Sequence, residues 1–202
     1  MLLVIDSATA ACSAALLGPD GEILDQRDEL VGRGHAEKLL PMIADLLAGR
    51  VPTEILVDCG PGSFTGVRVG LAAAQGLAIG WGVKVSGYSS LAAIAAAAGE
   101  SPAEVGVALV GGHGELFVQS YGGDPIAPLD ELRSLAPADA AAAMSAALVL
   151  GSGAEALVAA RGHGSWRDAL PSAADARLLP PELRALPPRP IYGRAPDARP
   201  MR

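Results

Sequence analysis

The sequence predicts an α/β protein of two lobes, the second smaller and degenerate, on three observations. Three strand-like runs open the chain around a tight turn, strand and helix then alternate to about residue 98, and a fainter series of strands and helices follows. Half of the 202 residues are hydrophobic but only 3% are aromatic, so the core must be built by close packing of Ala, Leu, Val and Gly.

Residues 2–6 read as a short buried strand entering the turn Ser7-Ala8-Thr9-Ala10. Residues 11–17 and 22–30 flank Gly18-Pro19-Asp20-Gly21, a hairpin signal, so the opening strands are antiparallel. Leu39, Leu40, Ile43, Leu46 and Leu47 recur at helical spacing and predict a helix that Pro41 opens or kinks and Gly49 ends. Residues 55–59 form the next buried strand, running into Gly60-Pro61-Gly62. A long helix is predicted over 63–80, a strand over 84–87, and a helix over 91–98 capped by Ser89 or Ser90. The order β-β-β-α-β-α-β-α describes the ribonuclease-H-like unit of the actin-like (ASKHA) fold.

Residues 99–102 read as a linker. Beyond it, 105–110 and 116–121 look like paired strands around 111–114, followed by a helix over 136–147, a strand over 148–150 and a helix over 154–160. From Pro171 the proline content is high and periodicity lapses. The organisation is therefore a first lobe over 1–98, a smaller one over 99–170, and a Pro/Arg-rich irregular tail over 171–202.

Charge divides along the same lines. Residues 161–202 hold eight arginines against four acidic groups, whereas the remainder holds seven basic and eighteen acidic side chains, for a net −7. A basic tail on an acidic body could meet nucleic acid or an acidic partner; a solvated proline-rich segment is the plainer reading. Cys12 and Cys59 lie in apolar runs without CxxC spacing, as buried thiols of a reducing compartment do. The N-terminus lacks a basic region before a long apolar stretch, and the longest apolar run, 69–83, carries four glycines and Gln75, so neither a signal peptide nor a membrane span is expected. These features predict a cytoplasmic protein.

Chemistry is concentrated in Gly60-Pro61-Gly62-Ser63-Phe64-Thr65-Gly66-Val67-Arg68. Glycines between a strand and a helix allow backbone N–H groups to converge on an anion, with Gly62, Ser63, Thr65 and Arg68 as the contacts. No Gly-Lys-Ser/Thr follows, and a tight strand-to-helix turn explains the glycines equally well. The helix behind it is apolar nearly all round, so both its sides need cover: one from its own sheet, the other from a second element or another protein. Gly66, Gly70, Ala74 and Ala78 recur every four residues and would let a neighbour approach closely. His35, His113 and His163 show no metal-binding spacing, and no Gly-x-Ser-x-Gly elbow is present. Asp6 ends the first strand, where actin-like ATPases hold a nucleotide-bound metal, but Ser7-Ala8-Thr9 follows instead of a glycine-rich turn, which favours a turn-capping role. No catalytic or metal-ligating residue is assigned.

Ile5-Asp6-Ser7-Ala8-Thr9, His35-Ala36-Glu37-Lys38-Leu39-Leu40-Pro41, the 60–68 run with its continuation to Ala78, Tyr88-Ser89-Ser90-Leu91 and Pro190-Ile191-Tyr192-Gly193-Arg194 together resemble the TsaB (YeaZ) family. The resemblance is specific over 1–98 and thin over 99–189. It implies an actin-like fold and a non-catalytic scaffold role in forming threonylcarbamoyladenosine beside the anticodon of tRNA. The implied partners are a TsaD-like catalytic subunit, bound as a heterodimer, and a TsaE-like ATPase. A homodimer is implied when TsaD is absent, ATP and metal belong to the partner subunits, and tRNA is met only indirectly. Family pairing through first-lobe helices makes Leu39, Leu40, Ile43, Gly66, Val67, Gly70, Leu71, Ala74 and Ala78 the expected interface. Where the family shows an Asp-Ala-Arg-x-Gly-Glu run, this chain has Gly111-Gly112-His113-Gly114-Glu115. The alternative is an independent actin-like ATPase or phosphotransferase built on Asp6 and the 60–68 loop.

Overall fold

The computed structural model describes residues 1–99 and 103–193; part of the linker and Arg194 of the closing motif lie outside them. Strands β1 (Leu2–Asp6), β2 (Ala11–Leu17) and β3 (Ile23–Leu30) form the antiparallel opening. Helix α1 (His35–Leu47), strand β4 (Glu54–Asp58), helix α2 (Phe64–Trp81), strand β5 (Lys84–Tyr88) and helix α3 (Ser90–Ala96) follow. Because β4 and β5 join in parallel, the first sheet runs β3-β2-β1-β4-β5.

Alternation along each strand sends Leu3, Ile5, Ala14, Leu16, Ile55 and Val57 toward α1 and α2, and Val4, Ala15, Leu17 and Leu56 toward α3. Both faces are covered, so these strands read as continuous apolar runs. Pro41 does not open α1. It lies inside the helix on the exposed side, where water can serve the Glu37 carbonyl that its missing N–H leaves free. The helix stops as expected, at Ala48 and Gly49, both with positive φ.

The second lobe comprises β6 (Glu104–Val110), β7 (Leu116–Gly122), β8 (Ala127–Pro128), β9 (Arg133–Leu135), α4 (Pro137–Ala143), β10 (Leu148–Leu150), α5 (Ala154–Arg161) and β11 (Ser165–Arg167). Its sheet runs β11-β10-β6-β7-β8, with β9 also on β7. Placing β6 on β1, β7 on β2, β10 on β4 and β11 on β5 reproduces the first sheet's order and directions. Two lobes of one topology, the second built from shorter pieces, make the fold actin-like. Between the sheets lies α3, whose Leu91, Ala92, Ala93, Ile94 and Ala95 pack with Val105, Val107, Tyr121 and Leu150. Its small side chains suit a helix pressed from both sides.

Helix α4 ends four residues before the alanine run does. Met144 leaves the helix to pack into the lobe core, and the carbonyls of Met144 and Ala146 are taken by Arg161 Nη1 at 3.1 and 2.9 Å. Arg161 Nε also donates to the His163 carbonyl. Arg161→Ala should therefore destabilise this lobe by about 2 kcal/mol, since charged donors to buried carbonyls are lost. Urea unfolding followed by circular dichroism checks it, and an unchanged midpoint would show the guanidinium to be idle.

The proline-rich segment departs from the solvated tail expected of it. It is irregular, with two short 3-10 turns at Ala173–Leu178 and Pro181–Arg184, yet Ala173, Ala174, Ala176 and Leu179 join the interlobe core. Ala173 N–H donates to Ser13 Oγ at 2.9 Å, and Leu186 exchanges backbone hydrogen bonds with Gly87 on the edge of β5. Pro188, the next position that would donate toward β5, has no N–H, so the pairing stays a single bridge. The segment straps the second lobe to the first and covers the edge of β5.

Candidate functional site: the interlobe cleft and the outer face of α2

The 60–68 run folds against the turn that follows β1. Gly60 has φ +90°, and a Cβ at Gly62 would overlap the Ala8 carbonyl, as one at Gly66 would overlap the carbonyl of Ser7. Ser63 N–H donates to the Ala8 carbonyl at 2.6 Å, Ser63 Oγ caps α2 by accepting from Gly66 N–H at 3.3 Å, and Ser7 Oγ donates to the Gly66 carbonyl. The glycines thus serve close packing of two turns, and these amides at the start of α2 are already paired.

Between the lobes above this turn lies a cleft of about 980 Å³, walled mainly by apolar groups such as Val67, Leu109, Val110, Phe117 and Ile191. Gly62, Ser63 and Arg68 line it, whereas Thr65 is exposed and is not part of the wall. Arg68 does not reach into open space: its guanidinium lies 3.4 Å from the Phe64 ring centroid, and Nη2 donates to Tyr192 Oη at 2.6 Å. Two motifs 124 residues apart meet in this clasp. Opposite stands the 111–114 turn with His113 at φ +60°. Glu115 accepts from Ser134 Oγ at 2.6 Å.

Beneath the cleft floor, Asp6 and Asp58 lie side by side at the ends of parallel β1 and β4, both fully enclosed. Asp6 Oδ1 accepts from Ala8 N–H at 3.1 Å, the turn-capping geometry. Asp58 accepts from Gly60 N–H at 2.6 Å and from Ser90 Oγ at 2.7 and 2.9 Å. Ser90 is therefore committed to Asp58, and Ser89 at the start of α3 makes no side-chain capping bond. Burial, then the neighbouring Asp58, hold the Asp6 carboxyl well above the ordinary carboxylate range; burial pushes Asp58 up to about 6. Sequence reading passed over Asp58 altogether, although an acidic residue ending a strand beside Asp6 was the available signal. Among the described residues, no group of three or more His, Cys, Asp or Glu side chains comes together as a metal site.

The structure places the residues of the expected interface mostly inward. Leu39, Ile43, Gly66, Val67, Gly70, Leu71, Ala74 and Ala78 are all buried in this chain's own first lobe, against β1, β2 and β4; of the nine positions only Leu40, half exposed, faces out. Gly66 and Gly70 take their closeness from Ser7 on the sheet side, not from a helix of another protein. The outward face of α2 instead carries Ala72, Gly76, Ile79 and Gly80, with Val69 and Ala73 at its margin. Ile79 is 85% exposed, and nothing lies within 4 Å of a Cβ built at Gly76 or Gly80. A second small-residue stripe thus runs along α2, two residues out of phase with the first and so on the opposite side.

The family model described as "TsaD: tRNA N6-adenosine threonylcarbamoyltransferase" matches residues 26–170. The tRNA threonylcarbamoyladenosine biosynthesis protein TsaB of Escherichia coli is 44% identical over 99 residues, 46% of this chain and 42% of that protein. The chain thus spans less than half the length of the curated TsaB relatives it matches. An uncharacterized protein of Mycobacterium tuberculosis is 31% identical over 214 residues, covering 99% of this chain and 94% of its own. The structure of YeaZ from Pseudomonas aeruginosa superposes with a TM-score of 0.79 at 30% identity, covering 95% of this chain and 98% of that one. With a family model across most of its length and a YeaZ structure matching nearly all of its fold, the chain belongs to the TsaB (YeaZ) family, within the wider TsaD group.

Proposed function

We propose that this chain is a non-catalytic scaffold subunit of the cytoplasmic assembly that forms N6-threonylcarbamoyladenosine in tRNA, and that it binds a TsaD-like catalytic subunit. The observation that carries this reading is the outer face of α2: apolar, lined by small residues, and bare in the isolated chain. A helix of a partner can approach such a surface closely, and Leu40 on α1 is a further exposed apolar side chain of the same lobe. The same face would join two copies of the chain when the partner is absent. A TsaE-like ATPase joins the pair; ATP and metal sit on the partner subunits, and tRNA is reached through them. Among the described residues no helix is long and apolar enough to cross a membrane.

The competing reading, an independent ATPase or phosphotransferase, asks Asp6 to hold a metal-bound nucleotide. Asp6 is enclosed beneath the cleft and committed to Ala8 and Asp58, and Arg68 is engaged by Phe64 and Tyr192, which supports the scaffold over the enzyme. Co-purification of the tagged chain from its host, with partners identified by mass spectrometry, tests the proposal. A TsaD-like protein recovered in near-equal amount is expected. Its absence, together with saturable ATP binding in calorimetry, would overturn the scaffold reading in favour of the enzyme.

A further inference from the structure

Neither Asp6 nor Asp58 takes part in an ion pair among the described residues. Their remaining partners are neutral: Ala8 N–H and Tyr88 Oη on Asp6, Gly60 N–H and Ser90 Oγ on Asp58. Two enclosed carboxylates side by side at neighbouring strand ends repel each other when both are charged, which favours keeping one proton between them. The same oxygens hold the two turns whose fit defines the cleft floor. Asp6 fixes Ala8, whose carbonyl receives Ser63 N–H; Asp58 fixes Gly60 at the entry to α2.

We propose that Asp6 and Asp58 form a proton-sharing latch that clamps the Ala8 turn to the 60–62 turn, and that loss of the shared proton releases both turns and loosens the seat of α2. Departure of the proton leaves two anions facing each other, and the Ala8 and Gly60 amides cannot relieve both without the turns moving apart.

The neighbouring groups do not mask this change. Cys12 on β2 and Cys59 after β4 are pushed up to about 11 and about 12 by burial, and burial raises Tyr88 on β5, so all three stay neutral while the pair titrates. Ser90 of α3 brings a hydroxyl, His35 of α1 contacts the Ala11 carbonyl, and Asp175 of the strap faces Asp28 and Arg177. The sign follows from the raised folded-state values. Stability from the pair is fully present below the unfolded carboxyl value near 3.8 and is lost as pH rises through the folded ones, the opposite of an ion-paired carboxylate.

The test is urea unfolding of the full chain from about pH 4 to about pH 9, comparing the parent with Asp6→Asn, whose amide can donate to Asp58 without titrating. The parent's unfolding constant is expected to rise by up to about tenfold per pH unit more steeply than that of Asp6→Asn over part of this window. Parallel profiles would overturn the latch. Should the variant fail to fold, carboxyl carbon NMR of aspartate-labelled parent decides. A buried aspartate signal still titrating above about pH 6 supports the shared proton, and completion of every aspartate titration below about pH 5 removes it.

Discussion

Replacing Gly70 by phenylalanine is expected to lower the melting temperature by roughly 6–12 °C, the effect of about 3 kcal/mol in a chain of this size. A Cβ at Gly70 already meets Ser7 Oγ at 2.6 Å, with Val57 and Ile5 behind it. A full ring there must separate α2 from β1 and β4, the strands it covers. Gly66→Ala acts by the same route, because its Cβ would overlap the Ser7 carbonyl, a backbone atom that cannot turn aside. Gly76→Ala is the control with opposite sign. It lies on the same helix with open space around its Cβ, so removing glycine's helical penalty should stabilise the chain by about 0.5–1 kcal/mol. Differential scanning calorimetry of the three variants measures both directions. If Gly66→Ala and Gly76→Ala moved together, the assignment of inner and outer faces would be wrong.

That contrast also marks where sequence reading stopped. The strand and helix order of the first lobe was legible because each element carries its own signal: the Asp20-Gly21 turn, the leucine period of α1, and the glycines that bracket α2. In the second lobe β8, β9 and β11 were missed, since two- and three-residue strands have no period to detect. Arg161 shortened α4 from outside the helix, which propensity could not foresee. Helix α2 shows a different limit. Its two small-residue stripes have the same spacing, and only the tertiary contact with Ser7 decides which of them meets the sheet. The cleft clasp was half legible: Arg68 and Tyr192 each stood in a recognised motif, but nothing in the sequence joined them. Asp58 and its neighbour Asp6 needed the parallel pairing of β1 with β4 before they became a pair.

On the outer face, Ile79→Asp and Gly76→Phe are expected to weaken binding of the proposed TsaD-like partner by roughly 30- to 1000-fold, or 2–4 kcal/mol, the range of central interface positions. Ile79 is the most exposed large apolar side chain on α2, and a carboxylate there would have to be desolvated against an apolar partner helix. Gly76→Phe works by bulk, filling the space through which the partner backbone approaches. Neither residue contacts the core, so monomer stability should move by no more than about 1 kcal/mol, from helix propensity and the charge near the helix end, and thermal unfolding of each variant alone verifies that. Trp166→Ser, on the exposed edge strand β11 of the second lobe, provides the spatial control and should bind as the parent does. Titration calorimetry against the purified partner separates the possibilities. Tight binding by Ile79→Asp combined with loss in Trp166→Ser would move the interface to the second lobe. Loss confined to the α2 variants would leave α2 with one stripe for its own sheet and the opposite stripe for the proposed partner, which would account for a helix this apolar on every side.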